Sequence, residues 1–181
     1  EKQRTFLLKL NSLRKDAVNE LESYTPPWWM TKSGCSSGNT DGSDNLKEDY
    51  YDDFAAYLTT AVLNYKSKYG ITFSTLSPMN EPFSNWWKAM GGQEGCAFSQ
   101  QNQQLLIKEV YKSLEKNKML GYCSISAMDA NGIDQCLKGI QGYEKAGDII
   151  PLIKQVNAHS YADTNRVELG RLARKLGLRL W

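Results

Sequence analysis

No apolar run in the chain approaches the roughly 18 residues of a membrane-spanning helix, so no bilayer crossing is expected. Nor is there a basic tract. The formal charge is +2 and the lysines and arginines are spread out, which argues against nucleic acid as a partner. A Gly-rich phosphate loop is missing from every strand-to-helix turn, and this weighs against a doubly wound open sheet. The four cysteines, Cys35, Cys96, Cys123 and Cys136, form neither a CxxC pair nor a Cys/His zinc spacing. No metal and no cofactor are therefore expected. A signal-like start is absent too, an absence of little weight because residue 1 reads as the interior of a helix. The closing Leu178-Arg179-Leu180-Trp181 reads as the interior of a strand. The chain is thus expected to be an excerpt, residues 1–181 being one catalytic domain truncated at both ends.

What is present is ordinary for a globular domain: 41% hydrophobic and 23% charged among 181 residues, enough for one sizeable core. Up to about Val18 the chain reads as a helix end, with Phe6, Leu7, Leu10 and Leu13 on one face. Leu21 to Tyr24 is a weak strand, closed by Pro26-Pro27. From Lys32 to Asn45 there is only loop chemistry. The clearest helix is Glu48 to Tyr69, where Phe54, Tyr57, Leu58, Ala61, Val62 and Tyr65 recur at helical spacing and Gly70 suits the C-terminal cap. The run Ile71 to Leu76 is a strand feeding Asn80-Glu81-Pro82. Further helices are expected over Ser99–Lys116, Ile133–Lys145 and Asn165–Lys175, the last capped by Thr164. Strands are expected over Met119–Ala127, Val156–Tyr161 and Leu178–Trp181. Strand, loop and helix repeat in turn, which is α/β with parallel strands. Strand ends at Glu81, Met128 and His159 have the rough spacing of a (β/α)8 TIM barrel, about 30 residues per unit. A doubly wound open sheet is the alternative.

In a barrel the residues just past each strand face one mouth. Here they are Trp28 and Trp29, Asn80 and Glu81, Asp129 and Asn131, and His159 and Tyr161. Indole faces stack on sugar C–H faces, and amides and carboxylates bind hydroxyls, so glycoside hydrolysis is the chemistry that fits. Each residue also has a plainer use. Trp28 suits core packing, and Trp86 and Trp87 suit either loop anchoring or substrate stacking. His159 suits a core hydrogen bond, and Asp129 suits a helix cap. Cys35 and Cys96, each in a polar Gly-rich loop, suit a disulfide in a secreted protein or two free thiols in a cytosolic one. Cys123 suits the core.

Four stretches resemble glycoside hydrolase family 30: Thr25-Pro26-Pro27-Trp28-Trp29-Met30, Leu76-Ser77-Pro78-Met79-Asn80-Glu81-Pro82, Gln93-Glu94-Gly95-Cys96 and Ala158-His159-Ser160-Tyr161. Within that family the likeness is to endo-β-1,6-galactanases. The resemblance implies a barrel arc of about strands 3 to 7 and a retaining mechanism. Glu81 would be the general acid/base and Asn80 the partner of the sugar 2-hydroxyl. Trp29 would be an aromatic wall, and His159 with Tyr161 a pair that lines the site and supports the nucleophile. Trp28, Trp86 and Trp87 complete the expected substrate contacts. The nucleophile is expected on the next strand end, past Trp181, so a polypeptide of residues 1–181 is expected to leave β-1,6-galactan uncut. The implied parent is a secreted, monomeric endo-glycosidase acting on β-1,6-galactan such as arabinogalactan side chains, with β-1,6-glucan or xylan as near alternatives. A non-catalytic carbohydrate-binding protein that keeps the aromatic groove is the reading from another class.

Overall fold

Five parallel strands lie side by side in the order in which the chain makes them: β1 (Glu20–Glu22), β2 (Thr75–Ser77), β3 (Ser124–Ala130), β4 (Ile153–Ala158) and β5 (Arg179–Leu180). The structure, a computed structural model, describes residues 2–161 and 164–181. The intervening helices are α1 (Lys2–Leu13), α2 (Tyr51–Tyr69), α3 (Gln100–Lys116), α4 (Ile133–Ala146) and α5 (Arg166–Lys175). Helix α2 packs on α3, α3 on α4 and α4 on α5, so the helices form one layer in step with the strands. A doubly wound sheet would instead reverse its strand order at a switch point, and none occurs here.

Register explains the two faces. Leu21 pairs with Leu76, Leu76 with Ile125, and Ala127 with Val156. Side chains alternate along a strand, so these apolar residues share the face covered by helices, where Leu76, Ile125, Ala127 and Val156 are buried. Each large one removed from water contributes on the order of 1.5–3 kcal/mol. The other face holds Glu20, Thr75, Ser126, Gln155 and Asn157, joined by side-chain hydrogen bonds. It is polar at its centre.

The helices obey local rules. Phe54, Ala55, Leu58 and Val62 put one face of α2 into the core. Asp52 and Asp53 sit in its first turn and Lys66 and Lys68 in its last, each favourable to the helix dipole. Gly70 ends it at φ +68°, donating its N–H to Lys66 O, as expected. Helix α3 starts at Ser99, whose hydroxyl accepts from Asn102 N and which is itself held by Asp44.

Several expectations need correction. Helix α1 has no fully buried residue; Phe6 and Leu13 are exposed while Leu7 packs against the core and Leu10 is half-buried, so its apolar stripe is only partly covered; Glu1, expected within it, lies outside the described residues. Thr164 does not cap α5. The cap position is Asn165, without a side-chain cap bond, and the Thr164 hydroxyl is bonded to Asp134 instead. Strand β3 begins at Ser124 and not at Met119, because Met119 to Cys123 forms a turn closed by Cys123 N on Met119 O. Strand β4 starts at Ile153 and stops at Ala158, after a 3-10 turn at Ile150–Leu152 that accommodates Pro151. No helix among the described residues is long and apolar enough to cross a membrane.

Candidate active site

Pro82 and the turn behind it place Glu81. The Glu81 backbone sits at φ +46°, a left-handed conformation that costs a residue with a Cβ on the order of 1–3 kcal/mol. Three contacts hold it there. Its N–H donates to Asp129 O at 2.8 Å, and its carbonyl accepts from Ser84 N and from the Trp87 indole N–H, both at 3.0 Å. Trp87 is 3% exposed. It therefore anchors the turn under Glu81 and offers no face to a ligand, which corrects its expected substrate role. The loop that carries Trp87 is clamped by Gly38, whose φ of +128° and lack of a side chain let it lie against the Trp87 backbone.

The Glu81 side chain is nearly buried, and its Oε1 meets two groups: Asn131 Nδ2 at 2.9 Å and His159 Nδ1 at 2.8 Å. The second ring nitrogen, Nε2, faces Asp129 Oδ1 at 3.4 Å. With its amide turned so that Nδ2 faces the acids, Asn80 donates to Asp129 Oδ2 and Glu22 Oε1, each at 3.2 Å. His159 N donates to Ala130 O at 2.8 Å, fixing the start of the loop after β4. The Tyr161 ring lies edge-on to the His159 ring at 5.3 Å and is 78% exposed.

Asp129 does not cap α4, which is entered through Gly132. It belongs to β3, where one extra residue between Ala127 and Ala130 breaks the register with β4. Such a bulge re-aims a side chain. Here it accompanies Asp129 at φ +52°, beside His159. Two non-glycine residues with left-handed backbones, Glu81 and Asp129, thus stand in contact at the strand ends.

The tryptophans divide. Trp28, Trp29 and Trp86 are 61, 47 and 49% exposed, so Trp28 is not core. Trp28 and Trp29 stand edge to face at 5.8 Å, in a 3-10 turn directly after the prolines. They line a groove of about 1040 Å³ that runs along the free edge of β1 and also takes in Glu22 and Tyr24. Glu81 does not line it, and among the described residues no ring contact or hydrogen bond joins Glu81 to Trp29. The link passes through Glu22 and Asn80.

Glu22 is the residue the sequence reading missed. Crowding that desolvates its carboxyl end, the contact with Asp129 and the charges of Asp129, Glu20 and Glu81 push its carboxyl up to about 9, although the residue as a whole is exposed at the free edge of the sheet. The signal existed. Glu22 pairs with Ser77 at the end of a strand that starts at Glu20, so the strand-end rule that found Glu81 also selects Glu22. Extending the strand toward Tyr24 hid it.

The expected Cys35–Cys96 bridge is not formed; both are free thiols. Cys96 Sγ is buried and turned to Ala97 O at 3.5 Å, whereas Cys35 Sγ faces Met90 Sδ at 3.7 Å. Burial pushes the thiols of Cys96, Cys123 and Cys136 up to about 12, which suppresses the reactive thiolate. A colorimetric thiol reagent is expected to titrate one thiol rapidly in the native protein, Cys35, and all four in denaturant. A native count of zero rising to only two without reductant would restore the bridge. Among the described residues no group of His, Cys, Asp and Glu is arranged to hold a metal.

A parallel α/β sheet whose strand ends gather acids, amides and exposed indoles suits an enzyme that handles carbohydrate. The chain belongs to O-glycosyl hydrolase family 30, whose profile matches residues 1–171. It is 32% identical over 166 residues to an endo-β-1,6-galactanase of Hypocrea rufa, taking in 91% of the chain and 34% of that enzyme. It is 25% identical over 207 residues to an exo-β-1,6-galactobiohydrolase of Bifidobacterium longum subsp. longum, taking in 90% of the chain and 13% of that protein. The crystal structure of SrfJ from Salmonella typhimurium superposes with a TM-score of 0.82 at 19% identity, over 98% of the chain and 38% of SrfJ. At that identity the fold is what the two share. The chain spans about a third of the length of the galactanase it matches.

Proposed function

We propose that the five strands are an arc of a closed (β/α)8 barrel, and that the protein is a retaining endo-glycosidase acting on β-1,6-linked galactan with Glu81 as general acid/base. Residues 1–181 would supply one part of the catalytic domain, its sheet continuing from the free edges of β1 and β5. Strand order favours this, since a barrel adds each strand beside the last.

The observation that carries the mechanism is the asymmetry of the Glu81 carboxyl. Oε1 is occupied by Asn131 and His159, while Oε2 has no hydrogen bond among the described residues. A proton on Oε2 is then free to pass to the glycosidic oxygen as the bond breaks. In the second step Oε2 takes a proton from the attacking water. Oε1 keeps its two partners in both states, because the acid and the carboxylate both accept there. The other carboxyl of a retaining pair, about 5–5.5 Å away, would come from the strand end after β5. Glu22 and Asp129 are engaged with each other and with Asn80.

Trp29, Trp28, Trp86 and Tyr161 would supply the apolar walls for sugar rings. Asn80 has both amide hydrogens committed to Asp129 and Glu22, so it would meet a sugar hydroxyl through Oδ1. His159 would act on Glu81 and not on the nucleophile. A polysaccharide substrate would place the protein outside the cell.

The test is hydrolysis of β-1,6-galactan, β-1,6-glucan and xylan by the full-length protein, with the anomeric form of the first product followed by proton NMR. Cleavage of galactan in preference to the other two, with retention, is expected. Preference for glucan or xylan would move the specificity within the family, and inversion would remove the mechanism. No cleavage of any of the three would leave the carbohydrate-binding reading in its place.

A further inference from the structure

Four ionisable side chains, each from a different strand end, form one connected chain: Glu22 on β1, Asp129 on β3, His159 after β4 and Glu81 after β2. We propose that Glu22 and Asp129 share one proton and that this acid–carboxylate pair positions the acid/base, fixing His159 and Asn80 so that Glu81 keeps Oε1 occupied and Oε2 free. The proposal rests on the glycosidase reading for its catalytic meaning but not for the shared proton itself.

The atoms account for themselves. Asp129 Oδ2 accepts from Asn80, and Oδ1 faces His159 Nε2 at 3.4 Å. The main-chain oxygen of Asp129 takes the Glu81 N–H at 2.8 Å. Glu22 Oε1 accepts the other Asn80 hydrogen, so the two carboxyls converge on one amide nitrogen, each 3.2 Å from it. Two ionised carboxylates in contact repel. No described ion pair joins a lysine or arginine to either acid. A proton on Glu22 Oε2, donated to Asp129, turns the repulsion into a hydrogen bond and leaves every other bond in place.

Every titratable neighbour of Glu22 weighs the same way or is already partnered. Glu20, Glu81 and Asp129 oppose its ionisation. Tyr24, held above the usual phenol range first by Glu22 and then by burial, also senses Asp129, Glu81 and Tyr161. His159 is committed between Glu81 and Asp129. Removing the shared proton would set two carboxylates repelling across the Asn80 amide that both accept from, and would shift Asp129 away from its place beside His159 Nε2. Of the two partners on Glu81 Oε1, His159 would then be less firmly held, leaving Asn131 to fix the carboxyl.

Carbon-13 NMR of the carboxyl groups in the full-length protein tests this, the Glu22 signal being assigned by its loss in Glu22→Gln. Glu22 is expected to remain protonated at pH 7, and Asp129→Asn is expected to shift its titration downward, part of the rise persisting because burial of the carboxyl end is its largest cause. Kinetics supply the second arm. Glu22→Ala is expected to lower kcat on galactan roughly ten- to a hundredfold, as a loss of positioning does, with little change in KM. Glu22→Gln, which keeps both hydrogen bonds of the protonated acid, is expected to recover most of that loss. A Glu22 carboxyl titrating as an ordinary glutamate in the unmodified protein would overturn the proposal. So would a Gln variant no better than the Ala variant. An unmodified protein that cleaves no glycan would sink the glycosidase reading alone, and the titration would still decide the shared proton.

Discussion

Glu81→Gln in the full-length protein is expected to lower kcat/KM on β-1,6-galactan by about 10²–10⁴-fold, the usual worth of a positioned general acid. The change is nearly isosteric. With its oxygen at the Oε1 position, the substituted amide still accepts from Asn131 Nδ2 and His159 Nδ1. The backbone contacts to Asp129, Ser84 and Trp87 are untouched. What disappears is the transferable proton on the other atom of the group, so the loss should fall on the chemical step and leave KM nearly unchanged. Leaving-group chemistry gives the sharper signature. An aryl galactoside whose phenol departs as a stable anion needs no proton, so formation of the glycosyl-enzyme should be only mildly slowed. Its breakdown still needs a base, so that intermediate should accumulate. Azide, a nucleophile that needs no base, should then restore turnover and yield a glycosyl azide of retained configuration. Near-normal galactan cleavage by the variant would show that Glu81 is not the acid. A uniform loss on galactan and aryl substrates alike, unrescued by azide, would point to damage of the site's shape.

Asn80-Glu81 could be placed from the sequence because a β-leaning run that meets Pro78 and then Pro82 has few alternatives: β2 ends at Ser77, and the residues between the two prolines lie just past a strand end. Helices α2, α3 and α4 were legible for the same kind of reason, their apolar residues recurring at helical spacing with Gly70, Ser99 and Gly147 at the ends. Features that depend on contacts between distant residues were not legible. The run Met119–Cys123 is as apolar as a strand, and only the turn it forms after α3 excludes it from β3. Asp129 looked like a helix cap because the bulge that aims it at His159 is defined by the register with β4. Trp87 and Trp86 are adjacent in sequence and opposite in use, since Trp87 alone finds the Glu81 carbonyl. Spacing cannot separate two neighbouring tryptophans. Cys35 and Cys96 do come from neighbouring loops, joined by Gly95 N on Ser36 O at 2.9 Å. Nearness of loops left the direction of each sulfur undetermined.

Replacing Glu20 by leucine is expected to destabilise the protein by about 3–5 kcal/mol, the cost of stripping a partly buried charged hub from several donors. The Glu20 carboxylate is the point at which four strands meet on the polar face of the sheet. Oε2 accepts from Thr75 Oγ1 at 2.5 Å, Ser126 Oγ at 2.5 Å and Gln155 Nε2 at 3.0 Å, and Oε1 accepts from Asn157 Nδ2 at 2.6 Å. One side chain on β1 thus ties β2, β3 and β4 together. Leucine fills similar space but accepts nothing. The two hydroxyls can rotate toward other acceptors, whereas the amides of Gln155 and Asn157 already bond each other through Gln155 Nε2 and Asn157 Oδ1 at 2.9 Å. Glu20→Gln separates charge from hydrogen bonding. Its oxygen can serve the three donors of Oε2, but its NH2 then opposes the NH2 of Asn157, so about 1–3 kcal/mol is expected, one unsatisfied pair. Urea denaturation of the full-length protein reads both values, with the slope unchanged if the folded state keeps its compactness. Since a domain is stable by only about 5–15 kcal/mol, the leucine variant should show a large drop in midpoint. It should also lose activity well below that midpoint, because Asn157 lies two residues before His159 on the same chain segment and its release loosens the Glu81 Oε1 contact. A leucine variant as stable as the parent would mean that the polar centre of the sheet is a solvated space and not a clamp. The register of β1 against β2 would then rest on the Leu21–Leu76 pair and on the backbone bonds at its ends, Ser74 N on Asn19 O and Ser23 N on Ser77 O.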